Sequence, residues 1–236
     1  MKIGKITYNG TASDSFGLIV AGAGSFDAAE PDMTAYSVPG RNGDILLDNH
    51  RYKNITVTYP AFIPSAFQSQ VQGIRDWIRS SDSYARLEDN FDTTHFRQAI
   101  GKGILSFSPV NSNKAANMRL VFNCKPQRFL TTGETESTVT SGSSVNNPTQ
   151  YNAAPLIVVK NPTATATFTV GTYTMTATAA FTGDVVIDCE RMNIYSGTVN
   201  KNSLFTGSFP VLVPGANTIT FSGFTSFKIT PRWWEL

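Results

Sequence analysis

The sequence predicts an α+β domain, mostly antiparallel β with one helix, followed by an all-β sandwich. Three observations carry this. One stretch, "AFQSQVQGIRDWIRS", has helical periodicity, with Phe67, Val71, Ile74 and Ile78 on one face and Gln68, Gln72 and Arg75 on others. Short runs around it alternate or are continuously apolar, the mark of strands. Beyond residue 130 charge thins out, and threonine-rich short strands follow one another between Gly, Pro and Asn turns.

Within the first domain, residues 1–130, "KIGKITYNG" and "FGLIV" read as short strands. "NITVTYPAFI" alternates, with Ile55, Val57 and Tyr59 on one face of a half-buried strand. Pro64 and Ser65 introduce the helix, in which Gly73 costs about 1 kcal/mol relative to alanine, so packing must hold it. "YARLEDN", "KGILSFSPV" and "MRLVFNCKP" supply further strands, and the helix lies across the sheet they form. Residues 131–150, "TTGETESTVTSGSSVNNPTQ", are poor in apolar side chains and read as a linker or exposed loop.

The second domain, 151–236, contains one hairpin that can be read pair by pair. In "TATATFTVGTYTMTAT" the threonines change parity across Gly171-Thr172, as a two-residue type II′ turn with glycine first requires. Val170 then pairs with Tyr173, Phe168 with Met175 and Ala166 with Ala177, leaving a threonine ladder on the other face. "DVVIDCERM", "FPVLV", "NTITFSG" and "SFKITPRW" supply the remaining strands.

Composition excludes several function classes. Charged residues make up 15% of the chain, below the roughly 25% usual for soluble domains, and the net charge is +2 with no basic block. Nothing here tracks a nucleic-acid backbone. No apolar run approaches the roughly 20 residues of a membrane helix, and "MKIGKITYNG" lacks an apolar signal core. Cys124 and Cys189, in no metal-like spacing, read as buried unpaired thiols of a chain folded in a reducing cytosol.

Catalysis finds no support. His50 and His95 are the only histidines. Glu88, Asp89, Asp92 and His95 imitate an oxygen-rich metal loop but lack the calcium-loop rhythm, so a solvated turn is expected there and no metal site. Asp184 and Asp188, near Glu190, share a strand parity that permits a glycoside-cleaving pair, yet nothing in "GDVVIDCERMN" sets their pKa values apart. No nucleophile elbow, P-loop or dinucleotide fingerprint appears, and no cofactor is implied. A carbohydrate-binding sandwich is the alternative reading, with Tyr151 and Tyr195 as sugar-stacking rings, joined by Tyr173 and the tryptophans. Pro231, Arg232, Trp233 and Trp234 read instead as structural anchors, one tryptophan facing a core and the other an interface.

The stretch "SVPGRNGDILL", residues 37–47, has the glycines and the arginine of a phosphate loop. A phosphate site needs a helix start after the glycines, and the strand-like "DILLDN" follows instead. Asn42-Gly43 is the favoured pair of a type I′ hairpin turn, with Val38 on one side and Ile45 and Leu47 on the other.

The C-terminal segments "VIDCERMNIY", "FPVLVPGANTITFSG" and "ITPRWWEL" resemble, in order, the C-terminal half of the siphophage distal tail protein family. "FGLIV", "VPGRNGDILLDNHRYKN", "YARLEDNFDTTHFRQA" and "FNCKPQRF" resemble its N-terminal domain. The resemblance spans nearly the whole chain and is weakest over 131–150 and the threonine hairpin. It implies a non-enzymatic structural protein whose N-terminal domains form a hexameric ring closing the far end of the tail tube, with galectin-like C-terminal sandwiches. The ring would join the tail tube protein and the tape-measure protein to tail-tip, baseplate or receptor-binding proteins. The implied location is the virion tail tip, after assembly in the bacterial host cytoplasm. In that light Arg41, Asn42 and Asp44 are the expected polar contacts between subunits. The alternative remains a host-glycan-binding β-sandwich module, although no room is left for an inserted carbohydrate module.

Overall fold

A computed structural model describes residues 4–24 and 27–236. The first two residues of the strand expected in "KIGKITYNG", Lys2 and Ile3, lie outside the described residues. The chain divides into two compact units, one running to Arg128 and including Leu236, the other Phe129–Glu235.

In the first unit the strands are β1 (Ile6–Tyr8), β2 (Thr11–Ala12), β3 (Ile19–Val20), β4 (Pro31–Tyr36), β5 (Ile45–Tyr52) and β6 (Ile55–Ile63). After the helix α1 (Phe67–Ile78) come β7 (Ala85–Asp89), β8 (His95–Gly101), β9 (Phe107–Val110) and the long β10 (Ala115–Leu130). The main sheet has the order β2-β1-β7-β8-β10-β6-β3, with β9 also paired to β10. β1 pairs antiparallel with β2 and β7, β7 with β8, β3 with β6, and β9 with β10, and β6 runs antiparallel against β10 from Ile55↔Cys124 to Ile63↔Ala116. In β6 the buried residues are Ile55, Val57, Tyr59, Ala61 and Ile63, every second one, so the alternation seen in sequence faces the core.

The helix buries Phe67, Ile74, Trp77 and Ile78. Trp77 Nε1 donates to Tyr8 O at 3.1 Å, and its ring packs against Phe16 and Tyr8. Gly73 has a packing reason: a Cβ there would meet the Phe16 ring at 3.2 Å.

Among the described residues, strands β4 and β5 pair only with each other and form a separate two-stranded sheet. The connection from Tyr36 to Ile45 is not the two-residue type I′ turn the sequence suggests. That turn needs positive φ at both central residues. Here the left-handed residues of the loop are Gly40 (φ 80°) and Gly43 (φ 79°), which are not adjacent. Arg41 N donates to Val38 O at 3.1 Å, closing Val38-Pro39-Gly40-Arg41 as a type II turn with proline and glycine at its central positions.

The second unit holds β11 (Ser137–Thr138), β12 (Ser143–Asn147), β13 (Leu156–Lys160), β14 (Thr167–Val170), β15 (Tyr173–Ala177) and β16 (Asp184–Asp188). The chain continues with β17 (Asn193–Ser196), β18 (Val199–Asn200), β19 (Phe205–Gly207), β20 (Gly215–Ser222), β21 (Ser226–Thr230) and β22 (Trp234–Glu235). One sheet has the order β11-β21-β13-β16-β17-β18, the other β12-β20-β14-β15-β19. Their shared core includes Phe168, Phe205, Phe227, Ile157, Ile187 and Trp233. "FPVLV" is not a strand of either sheet; it contributes one bridge, Ala153↔Leu212.

Residues 131–150 are not a free linker. They supply β11 on β21 and β12 on β20. Asn147 and Thr149 are buried, with Asn147 Nδ2 donating to Tyr151 O and Leu212 O. Polar side chains can be interior when their hydrogen bonds are met, which a reading by apolar content alone misses.

The threonine hairpin pairs Val170↔Tyr173, Phe168↔Met175 and Thr169↔Thr174, with Gly171 at φ 57°. The Oγ1 atoms of Thr169 and Thr174 lie 2.9 Å apart, and those of Thr167 and Thr176 3.3 Å apart. Thr169→Ala should cost about 0.5 kcal/mol in urea unfolding, the scale of one cross-strand pair. A loss above 2 kcal/mol would show that this face is more than a solvated ladder.

Candidate functional site

The β4–β5 hairpin is apolar where it is exposed. Tyr36 (54% exposed), Ile45 (45%) and Leu47 (53%) share one face by the ladder register, and Met33 (47%) and Leu46 (63%) the other. Nearer its base, Arg51 Nε donates to Asp32 Oδ2 at 2.6 Å and Lys53 Nζ to Glu30 Oε1 at 2.7 Å, tying the strands together by charge. Arg41, Asn42 and Asp44 sit in the exposed loop at its turn, next to the apolar pairs. The sequence reading took "DILLDN" for an ordinary strand. The signal it held was three consecutive apolar residues in a short strand, which leaves a hydrophobe on each face.

A second apolar feature lies on the main sheet of the first unit. A groove of about 480 Å³ is bordered by Phe62 of β6, Met118 and Val121 of β10, and Ile104, whose side chain is 88% exposed.

Around the turn at residues 88–95, which only imitates a metal loop, the carboxylates serve the turn itself. Asp89 accepts from Tyr59 Oη and from the backbone N–H groups of Phe91 and Asp92, each at 2.9 Å. Asp92 accepts from Thr94 N at 3.0 Å, Thr94 Oγ1 at 2.6 Å and Arg128 Nη2 at 2.6 Å, and lies 2.8 Å from His95 Nδ1. Burial opposes its ionisation, but the Thr94 hydrogen bonds and the His95 contact outweigh burial and hold the carboxyl well below the usual range. Among the described residues no group of three or more metal-ligating side chains gathers. Beside this turn is a cavity of about 190 Å³ whose lining includes Tyr59, Phe91, Phe96, Arg97 and Arg128. Sequence reasoning passed over Arg97, because "HFRQA" shows a polar strand position and not what surrounds it.

In the second unit the anchor residues form one assembly. Trp233 is 5% exposed and belongs to the core; its backbone N would lie 2.4 Å from a Cβ at Gly133, so only glycine allows that approach. Pro231 is buried beside Arg232, which is left-handed (φ 60°) and donates from Nη1 to Asp188 Oδ1 at 2.7 Å. Trp234 stacks on Tyr151 with centroids 4.5 Å apart, and its Nε1 donates to Asn152 O at 2.9 Å. Tyr195 is half-buried on β17 opposite Val186, and among the described residues it makes no ring contact with Tyr151. Tyr151 is therefore already a structural ring. Tyr151→Ala should cost about 1–2 kcal/mol of stability, read by urea unfolding of the full chain. Unchanged stability together with lost binding on a glycan array would instead make it a recognition residue.

Asp184 and Asp188 do not form a catalytic pair. They stand at opposite ends of β16, and at about 3.3 Å per residue are about 13 Å apart, beyond either glycosidase spacing. Asp184 is exposed, whereas Asp188 is buried in its ion pair with Arg232. Both cysteines are free and buried, and burial pushes each thiol up to about 12, which leaves them unreactive. Among the described residues no helix is long and apolar enough to cross a membrane.

No protein-family model matches the sequence, and no curated protein matches it significantly. Solved structures do share the fold. The crystal structure of phage SPP1 Dit superposes with a TM-score of 0.77 over 100% of both chains, at 12% identity. Two structures of the phage p2 baseplate in its activated conformation, with strontium and with calcium, superpose with TM-scores of 0.56 and 0.55. In each, 96% of this chain and 97% of the other are covered, at 9% identity. At such identities what is common is the arrangement of the two units' elements.

Proposed function

We propose that this protein is a structural, non-catalytic component of a siphophage tail tip, whose first unit assembles head-to-tail into a ring, expected to be hexameric. The observation that carries the proposal is the β4–β5 hairpin. A lone two-stranded hairpin is marginal in water, and one with large apolar side chains on both faces is stable only when something covers it. A second copy of the chain is the partner of choice because the same unit carries a second, different apolar feature, the groove beside Ile104. An arm and a separate groove are what a heterologous interface needs, and such an interface closes into a ring when its rotation permits. In this reading Arg41, Asn42 and Asp44 add polar contacts at the arm's tip. The fold supports the assignment: SPP1 Dit is described as a paradigm of the hub adsorption apparatus of phages that infect Gram-positive bacteria, and the p2 structures are baseplates.

The ring is placed at the distal end of the tail tube, after assembly in the host cytoplasm. Tube and tape-measure proteins are its partners on one side, and tail-tip or receptor-binding proteins on the other. Light scattering and negative-stain imaging at rising concentration, with and without the neighbouring tail proteins, test this. Rings of tube width are the expected result. A strict monomer that forms no ring in the presence of those proteins overturns it.

A further inference from the structure

The cavity beside the Asp92 turn contains a cation without a partner. Arg97 Nη1 is buried and makes no hydrogen bond, and the Arg97 side chain has no ion pair among the described residues. Of the aspartates that line the cavity, Asp92 is engaged with Thr94, His95 and Arg128, and Asp89 with Tyr59 and two backbone N–H groups, while Asp27 is exposed and makes no ion pair with Arg97. Asp89 attracts the guanidinium electrostatically without bonding to it, while Arg128 repels it. Arg97 is half-buried and does not shed its charge as a lysine can, so its buried Nη1 stays without a hydrogen bond until an acceptor arrives.

We propose that this cavity is a carboxylate-binding site with Arg97 as its recognition group. The planar guanidinium matches a planar carboxylate. The aspartates near the cavity favour a singly charged anion over a phosphate dianion, and Tyr59, Phe91 and Phe96 offer apolar wall to a short carbon skeleton. Space is ample: one water needs about 10–15 Å³ of such volume, and about 190 Å³ is present. The carboxylate comes either from a free small acid or from an acidic side chain of another protein chain.

Thermal unfolding of the full chain with sodium butyrate, against sodium chloride of equal ionic strength, tests the site. Wild type should gain roughly 5 °C at a hundredfold excess over Kd, and Arg97→Met should lose the gain. If butyrate has no effect, sedimentation decides between the remaining outcomes. Self-association that Arg97→Met abolishes supports a side-chain carboxylate; no Arg97-dependent association overturns the proposal. An equal butyrate response in both proteins also overturns it. Should Arg97→Met fail to fold, crystals of wild type soaked in 3-bromobenzoate give the answer. Bromine density in the cavity supports the site, and its absence there overturns it.

Discussion

Replacing Leu46 and Leu47 by glutamate should abolish ring assembly while changing monomer stability by less than about 0.5 kcal/mol. Both residues are more than half exposed in the monomer, so their replacement removes no intramolecular core. Ile104→Glu, on the groove, should give the same loss of assembly for the same reason, since that side chain is 88% exposed. Arg41→Glu, at the arm's tip, should weaken assembly less, because rim charges act mainly on encounter and register. The decisive experiment mixes the arm variant with the groove variant. The arm variant keeps an intact groove and the groove variant keeps an intact arm, so exactly complementary surfaces survive in only one of the two possible orders. A heterologous interface then yields a heterodimer that cannot grow. Rings from the mixture, or from either variant alone, would show that the arm is not the assembling element.

How much of this was legible in the sequence depends on what each signal measures. Alternation in Ile55, Val57 and Tyr59 reports a strand with one covered face, and the structure covers it. The parity flip of the threonines fixed each pair of β14 with β15, because a hairpin turn leaves the register no freedom. Periodicity says that Ile45, Leu46 and Leu47 need cover; it does not say whether the cover is intramolecular. Apolar content likewise misjudged residues 131–150, where Asn147 and Thr149 are buried with their polar atoms bonded and Gly133 admits the Trp233 backbone. Arg232 was read as an anchor and Arg97 was passed over, but the surroundings of both were illegible for one reason. The charge environments of Arg97 and Arg232 are built from residues distant in the chain, and only the fold brings them together.

Arg232 and Asp188 illustrate this at a distance of 44 positions, and they carry the largest stability prediction. The Asp188 side chain is 4% exposed and that of Arg232 22%. Arg232→Met should therefore cost about 3 kcal/mol, the low end for breaking a buried pair, since the exposed Arg191 guanidinium at 3.8 Å still faces the carboxylate. Asp188→Asn should cost less, about 1–3 kcal/mol, because the remaining guanidinium reaches water. The double variant should be more stable than the two losses summed, by the coupling that a double-mutant cycle isolates. The pH dependence follows from the same geometry. Burial opposes ionisation of Asp188, but the Arg232 hydrogen bond and charge, with Arg191 behind them, outweigh it and depress its pKa. A carboxyl whose folded pKa lies below its unfolded value of about 3.9 stabilises the fold above that pH, and the contribution fades as pH falls through the folded value. Wild-type stability should thus drop on acidification below about pH 4 with a component that Asp188→Asn lacks. Parallel acid profiles for the two proteins would mean that the pair does not ionise as this geometry requires, and that the anchor rests on Trp233 packing alone.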